Sequence, residues 1–355
     1  MFPEHFIEQV KLNCDISDSK SWGNFSICGL LMRMRELYLN EHSLQPWEAV
    51  PMEKITAWIQ DREARWKDLE SQDLRELVVG GVSYAPFDVG GLNGVLGDSG
   101  LLYGGGFGIM GKPTFFVAQI ASQEELYDYC VYYAGHEYCR DLAAYPAMLQ
   151  GRCIYLRLAV VRTMLWDKFQ TLRSGRYRGA TEEMFLRFGI GRGDAASDGF
   201  VGNVEKIAHR IRGLFVLHEI GEAFEDDYWE EWGEMLRRGF DRQTELYLRG
   251  VKDLLADASE MGPLKTIVKK KDDYLLTAYA AFLEGVRKEI FPAFSSAFSR
   301  FTASGDWSLM EDARVETYET ARALRDDLVG LWKDGRDSEI STVLRHVIKE
   351  RFLKS

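Results

Sequence analysis

Proline is scarce in this 355-residue chain, at 8 residues, and so are histidine, at 6, and cysteine, at 5. So few prolines speak against a long stiff linker. The cysteines (Cys14, Cys28, Cys130, Cys139 and Cys153) are odd in number and form no CxxC pair. A chain of this length buries a core without disulfide staples, so a reducing, cytoplasmic compartment is expected. No run of about 18 apolar residues exists to cross a membrane. The opening MFPEHFIEQVKLNC carries early acids and no apolar core, so it does not read as a secretory signal. Basic excess is also lacking. Acidic side chains number 55 against 44 basic ones, for a net charge of −11. That balance disfavours nucleic-acid and anionic-membrane partners, which need a basic surface. Two short clusters, Lys265 with Lys269, Lys270 and Lys271, and Arg173 with Arg176 and Arg178, read as solvated loops or helix ends.

What is present is the composition of a globular chain, 46% hydrophobic and 28% charged. Its length suggests two domains. Residues 3–70 read as helical. Phe2, Phe6, Ile7 and Val10 share one face, and DISDSKSWGN reads as a polar break rich in N-caps. Ile27, Leu30, Leu31, Met34, Leu37 and Tyr38 follow at helical spacing, then Ile55, Trp58, Ile59, Arg62 and Trp66. From Leu77 to Arg157 glycine is dense, and short strand-like runs alternate with turns: VVGGVSYAPF, SGLLYGGGFGIM, PTFFVAQIA, DYCVYYAG and RCIYLR. The connections are too short for helical crossovers, which predicts a small, Gly-rich, mostly antiparallel sheet. After a helix at LAVVRTMLWDKFQTL and a Gly-rich segment, helices are expected near 202–226, 229–260, 272–300, 308–333 and 338–352. The fold class is therefore α+β: an N-terminal α+β domain over 1–157 and an all-α helical bundle over 158–355.

Gly106-Phe107-Gly108-Ile109-Met110-Gly111-Lys112 has P-loop spacing. Pro113 stands where a metal-binding hydroxyl is needed, and TFFVAQI prefers a strand to the required helix. A glycine-rich hairpin is the expectation. More informative is VEKIAHRIRGLFVLHEIGEAFEDD. The apolar stripe Val204, Ile207, Ile211, Leu214, Phe215 continues into His218, Gly221, Glu222 and Glu225. His218 and Glu222 lie one turn apart on one face, with Glu219 offset by about 100°. Polar groups at core positions must be paired, hydrogen-bonded or metal-bound. Three readings follow: a structural network, a metal site on His218 and Glu222 taking zinc, iron or manganese, or an acid–base pair. HEIGE matches the start of the HExxH zinc pattern, with Glu222 in place of the second His. Glu284 and Arg287, in the mostly apolar DYLLTAYAAFLEGVRKEIFPAF, are candidate partners. Arg287 is placed to pair with Glu222 or Glu225, and Glu284 to add a carboxylate. Two Glu-x-x-His motifs are lacking, which disfavours a di-iron bundle site. His136 beside Cys139, and His5, His42 and His346, read as surface or satisfied groups.

NCDISDSKSWGNFSICGLLMRMRELY, GFGIMGKPTFFVAQ, AAYPAMLQGRCIYLR and LHEIGEAFED together resemble a bacterial protein family of unknown function found in deltaproteobacterial genomes. The resemblance covers most of the chain. It implies a bacterial, cytosolic protein with an N-terminal α/β part and a helical C-terminal part, and it transfers no catalytic residue. Two functions stay open. One is a metal-binding or small-molecule enzyme site lined by His218, Glu219, Glu222 and Glu225. The other is a non-catalytic interaction or assembly protein, binding a protein partner or a second copy, in which the His/Glu cluster fixes helix register.

Overall fold

The computed structural model describes residues 2–175, 179–194, 196–225 and 229–347. The side chain of Phe2 and the basic residues Arg176 and Arg178 lie outside what is described. The chain divides into two compact units, Met1–Asp167 with Ala196–Val201 and Lys168–Ala195 with Gly202–Ser355. The architecture is α+β, as the pattern of strands and helices predicts.

The first unit opens with α1 (Phe2–Ser21), α2 (Ile27–Glu41) and α3 (Met52–Leu69). The polar DISDSKS does not break α1, which runs through it to Ser21. Helix geometry survives there because the polar side chains have charged partners. Asp15 meets Arg62 and, at 2.7 Å, Arg65; Asp18 meets Lys112 at 2.9 Å. The N-cap that does operate is Ser26, whose side chain accepts from the Gly29 amide at the start of α2.

β1 (Leu77–Val79) and β2 (Val82–Tyr84) form a separate hairpin. α4 (Val89–Leu96) follows, a helix inside the stretch that reads as strands and turns; Asp88 caps it by accepting from the Gly91 amide. Then come β3 (Leu101–Phe107), β4 (Pro113–Leu126), β5 (Tyr129–Arg140), β6 (Ala147–Gln150) and β7 (Cys153–Arg157). β6 carries no clear strand signal in sequence. The strand order is β3-β4-β5-β7-β6, antiparallel except for the parallel β5–β7 pair. Phe6 and Val10 of α1 pack on the sheet with Leu102, Tyr103, Phe115, Val117 and Ala118. Burial of each such side chain contributes about 1.5–3 kcal/mol. The Phe116 ring fills the space a Cβ would take at Gly104. α5 (Leu158–Arg173) follows β7 directly.

The second unit is helical: α6 (Ala180–Leu186), most of α7 (Asp198–Phe224), α8 (Trp229–Arg237), α9 (Arg242–Ala258), α10 (Pro263–Lys270), α11 (Asp273–Phe282), α12 (Gly285–Glu289), α13 (Pro292–Ser304), α14 (Ser308–Lys333) and α15 (Asp337–Val347). The single helix expected over 229–260 is two. Gly239 takes a φ of 79°, and Asp241 caps α9 by accepting from the Gln243 and Thr244 amides. The helix expected over 272–300 is three. Leu283 and Glu284 are extended, and Pro292 opens α13, where its missing N–H costs nothing. Among the described residues, no helix is long and apolar enough to cross a membrane.

Candidate functional site

His218 and Glu222 project from α7 one turn apart, and α9 faces them with a matching pair, Asp253 and Asp257. Close approach of the two helices depends on Gly221. A Cβ added there would stand 2.2 Å from the Ala256 carbonyl oxygen, so only glycine admits the α9 backbone. The break after α11 then brings in Arg287 from the short α12, and Tyr279 reaches across from α11.

The contacts converge on His218. Its Nδ1 lies 2.7 Å from Asp257 Oδ1, its Nε2 3.4 Å from Glu222 Oε1 and 3.9 Å from Asp253 Oδ1. Asp257 is an acceptor, so Nδ1 carries the proton and donates to it. The other Asp257 oxygen accepts from the Tyr279 hydroxyl at 2.7 Å and from Arg287 at 2.5 Å. Lys252 donates to Glu222 at 2.5 Å. Asp257 is only 2% exposed, whereas His218, Glu222 and Asp253 are 21%, 18% and 28% exposed. Asp257 therefore orients the imidazole from behind, and the other three face solvent.

Burial opposes charging His218, but Asp257, Glu222 and Asp253 outweigh it and hold the imidazolium well above the usual histidine range. Burial also opposes ionising Glu222, yet Lys252 and His218 bring it down to about 2. Asp257 is lowered likewise, by Arg287, His218 and Tyr279. Asp253 moves the other way. Burial, with Glu222 and Asp257 nearby, raises it beyond what His218 and Arg287 offset.

His218, Glu222 and Asp253 offer one donor atom each, all within 4.8 Å of one another. Two donors about 2.1 Å from a tetrahedral ion stand about 3.4 Å apart, close to the His218–Glu222 separation. The second imidazole nitrogen held by a carboxylate is the arrangement that fixes a metal-binding histidine.

The other sequence-predicted residues are distributed elsewhere. Arg287 joins the cluster, but through Asp257 rather than through Glu222 or Glu225. Glu225 is buried against α14, accepting from Tyr318 at 2.7 Å and Arg325 at 3.1 Å. Glu284 pairs with Lys168 and is 46% exposed. Glu219 contributes no donor to the three-residue group. Asp253, Asp257, Lys252 and Tyr279 were not singled out by sequence; for the two aspartates the signal was an i, i+4 acid pair within the amphipathic VKDLLADAS.

Lys112, the lysine of the P-loop-like run, opens no helix. It is buried, donating to Ser17 at 3.1 Å and lying 2.9 Å from Asp18 and 3.4 Å from Asp141. His136 is exposed on β5 while Cys139 is buried and reaches the Ile7 carbonyl, so the two point to opposite faces. A separate open groove of about 440 Å³ runs between α13 and α14, with Ala297, Ala313 and Ile290 at its floor and Arg300, Asp312 and Glu316 at its rim.

Two family models cover this chain. The Family of unknown function (DUF6866) N-terminal domain matches residues 5–157, and the Family of unknown function (DUF6866) C-terminal domain matches residues 162–351. No curated protein and no solved structure matches. The chain, with both domains in order, belongs to the DUF6866 family, whose function is unknown.

Proposed function

We propose that the helical unit carries a divalent-metal site on His218 Nε2, Glu222 and Asp253, with Asp257 as the orienting carboxylate. The observation that carries this reading is the convergence of three donors from two helices on one point, with the far nitrogen of His218 already committed to Asp257. Nitrogen and oxygen donors suit zinc, iron or manganese. Three protein ligands leave a tetrahedral ion one position for water, and zinc lowers the pKa of such a water to about 7. The solvent-facing side of the cluster admits a small molecule to that position, so metal-assisted chemistry on a small substrate is the enzyme class this reading implies. The odd cysteine count supports a cytoplasmic setting.

A second reading has its own support. Glu222, Asp253 and Asp257 are matched in number by Lys252, Arg287 and a protonated His218. In that case the cluster is a polar clamp that sets the register of α7, α9 and α12, and the protein serves interaction or assembly. Elemental analysis of untagged, chelator-free protein separates the two, with His218→Ala and Asp253→Asn in parallel. The metal reading expects close to one ion per chain in the wild type and a loss of most of it in both variants. It also expects added Zn²⁺ or Mn²⁺ at 100 times Kd to stabilise the wild type by about 2.7 kcal/mol and neither variant. No ion and no stabilisation in the wild type would leave the polar clamp.

A further inference from the structure

β5 and β7 are the one parallel pair in the five-stranded sheet, and their first rung sets Cys130 directly beside Cys153. The Cys130 amide donates to the Arg152 carbonyl at 2.9 Å, which holds this rung in register. Two residues on, Tyr132 pairs with Tyr155, their rings 5.8 Å apart. Strand alternation places both thiols and both phenols on one face. Each phenol stands two residues beyond the thiol of its own strand, and the Tyr155 hydroxyl accepts from Asn93 at 3.0 Å. Neighbouring strands lie about 4.8 Å apart, inside the Cα separation of about 4.4–6.8 Å that a disulfide spans. Both thiols are half-buried and within reach of a small oxidant. The other adjacent thiols, Cys14 and Cys139, are 2% and 3% exposed, and Cys28 is exposed without a cysteine neighbour.

We propose that Cys130 and Cys153 are an oxidation site that closes to a reversible cross-strand disulfide. The oxidant is a hydroperoxide. One thiolate attacks the distal peroxide oxygen, the O–O bond breaks, and the alcohol or water leaves, giving a sulfenic acid. The second thiolate attacks that sulfur, the S–O bond breaks, and water leaves as the S–S bond forms. Two thiols lose two electrons and two protons, and the peroxide gains both. A small dithiol reverses the bond by thiol–disulfide exchange. Burial and the neighbouring Cys130 push the Cys153 thiol up, so closure accelerates as pH rises above neutrality. Disulfides of this kind in reducing compartments are transient and responsive rather than structural.

The test is hydrogen peroxide on the full native chain at pH 8, followed by alkylation and peptide mapping by mass spectrometry. Wild type, Cys28→Ser and Cys153→Ser are compared. Wild type and Cys28→Ser should each yield a Cys130–Cys153 cross-linked peptide that dithiothreitol releases. Cys153→Ser should yield none, leaving Cys130 singly oxidised. Cys14 and Cys139 should alkylate only after denaturation. Recovery of Cys130 and Cys153 as separate alkylated or over-oxidised peptides in Cys28→Ser, under conditions that oxidise Cys28 in the wild type, would overturn the proposal.

Discussion

At the scale of single residues, the decisive position is Gly221. In sequence it reads as one more small residue in HEIGE. In the fold it is where the α9 backbone meets α7, and a methyl group there runs into the Ala256 carbonyl. That obstacle is backbone, not a flexible side-chain end, so it yields only if the helices separate. Gly221→Ala is therefore expected to destabilise the helical unit by about 1–3 kcal/mol despite alanine's better helix propensity. It should also move His218 away from Asp257. Denaturant unfolding checks the first effect, and the His218 imidazole NMR signals check the second. A variant as stable as wild type, with unchanged His218 signals, would refute the close-approach argument. That His218 and Glu222 share one face of α7, in line with its apolar stripe, was legible in sequence. Their partners were not, because helical periodicity ranks positions on one helix and is silent about which acids a second helix brings opposite.

At the scale of elements, α1 shows how tertiary pairing overrides local preference. Its first half packs Phe6 and Val10 on the sheet. Its second half buries Asn13, Asp15, Ser17 and Asp18, residues that favour caps and turns when nothing else engages them. Here they are engaged. Asn13 exchanges hydrogen bonds with the Arg75 backbone, Asp18 accepts from the Leu142 amide, and Lys112 supplies the counter-charge. Lys112→Met keeps the side-chain length but removes the cation that, among the described residues, stands within ion-pair distance of Asp18 and Asp141. Removal of one partner from a buried ion pair costs about 3–5 kcal/mol, and a loss of that size is expected in denaturant unfolding. A loss below about 1 kcal/mol would mean that backbone amides alone sustain the two carboxylates. The break between α11 and α12 has the same character: a mostly apolar run read as one helix, but the chain turns at Leu283–Glu284 and sends Arg287 to Asp257.

At the scale of the whole molecule, carboxylates of opposite behaviour set the pH dependence of stability. Asp18 is pushed up to about 7 by burial and by Asp141, with Lys112 offsetting only part. The native state thus holds a proton that the unfolded chain has released, and this contribution is full below the unfolded pKa and lost as pH rises toward 7. Glu137 is lowered because Arg157, in a two-pronged contact, outweighs burial, and Glu311 is lowered to about 2 by Arg314 and Lys265 despite partial burial. Their contributions are present above the unfolded pKa and are lost as pH falls. Unfolding free energy should accordingly peak on the acid side of neutrality. In Asp18→Asn the decline between pH 4.5 and 7 should be shallower than in wild type, with the fall below pH 4 unchanged. Parallel curves for the two proteins across pH 4.5–7 would remove Asp18 as the cause.

Sequence by itself determined the composition class, the acidic balance, the α+β order of elements and the stripe carrying His218 and Glu222, because each is a property of neighbours along one chain. Only tertiary structure decided that Asp253 and Asp257 complete the cluster, that Glu225 and Glu284 pair elsewhere, that Lys112 neutralises buried acids, and that Cys130 meets Cys153. Those outcomes depend on which elements come face to face, and backbone contacts such as Gly221 on Ala256 set that through space rather than through spacing in the chain.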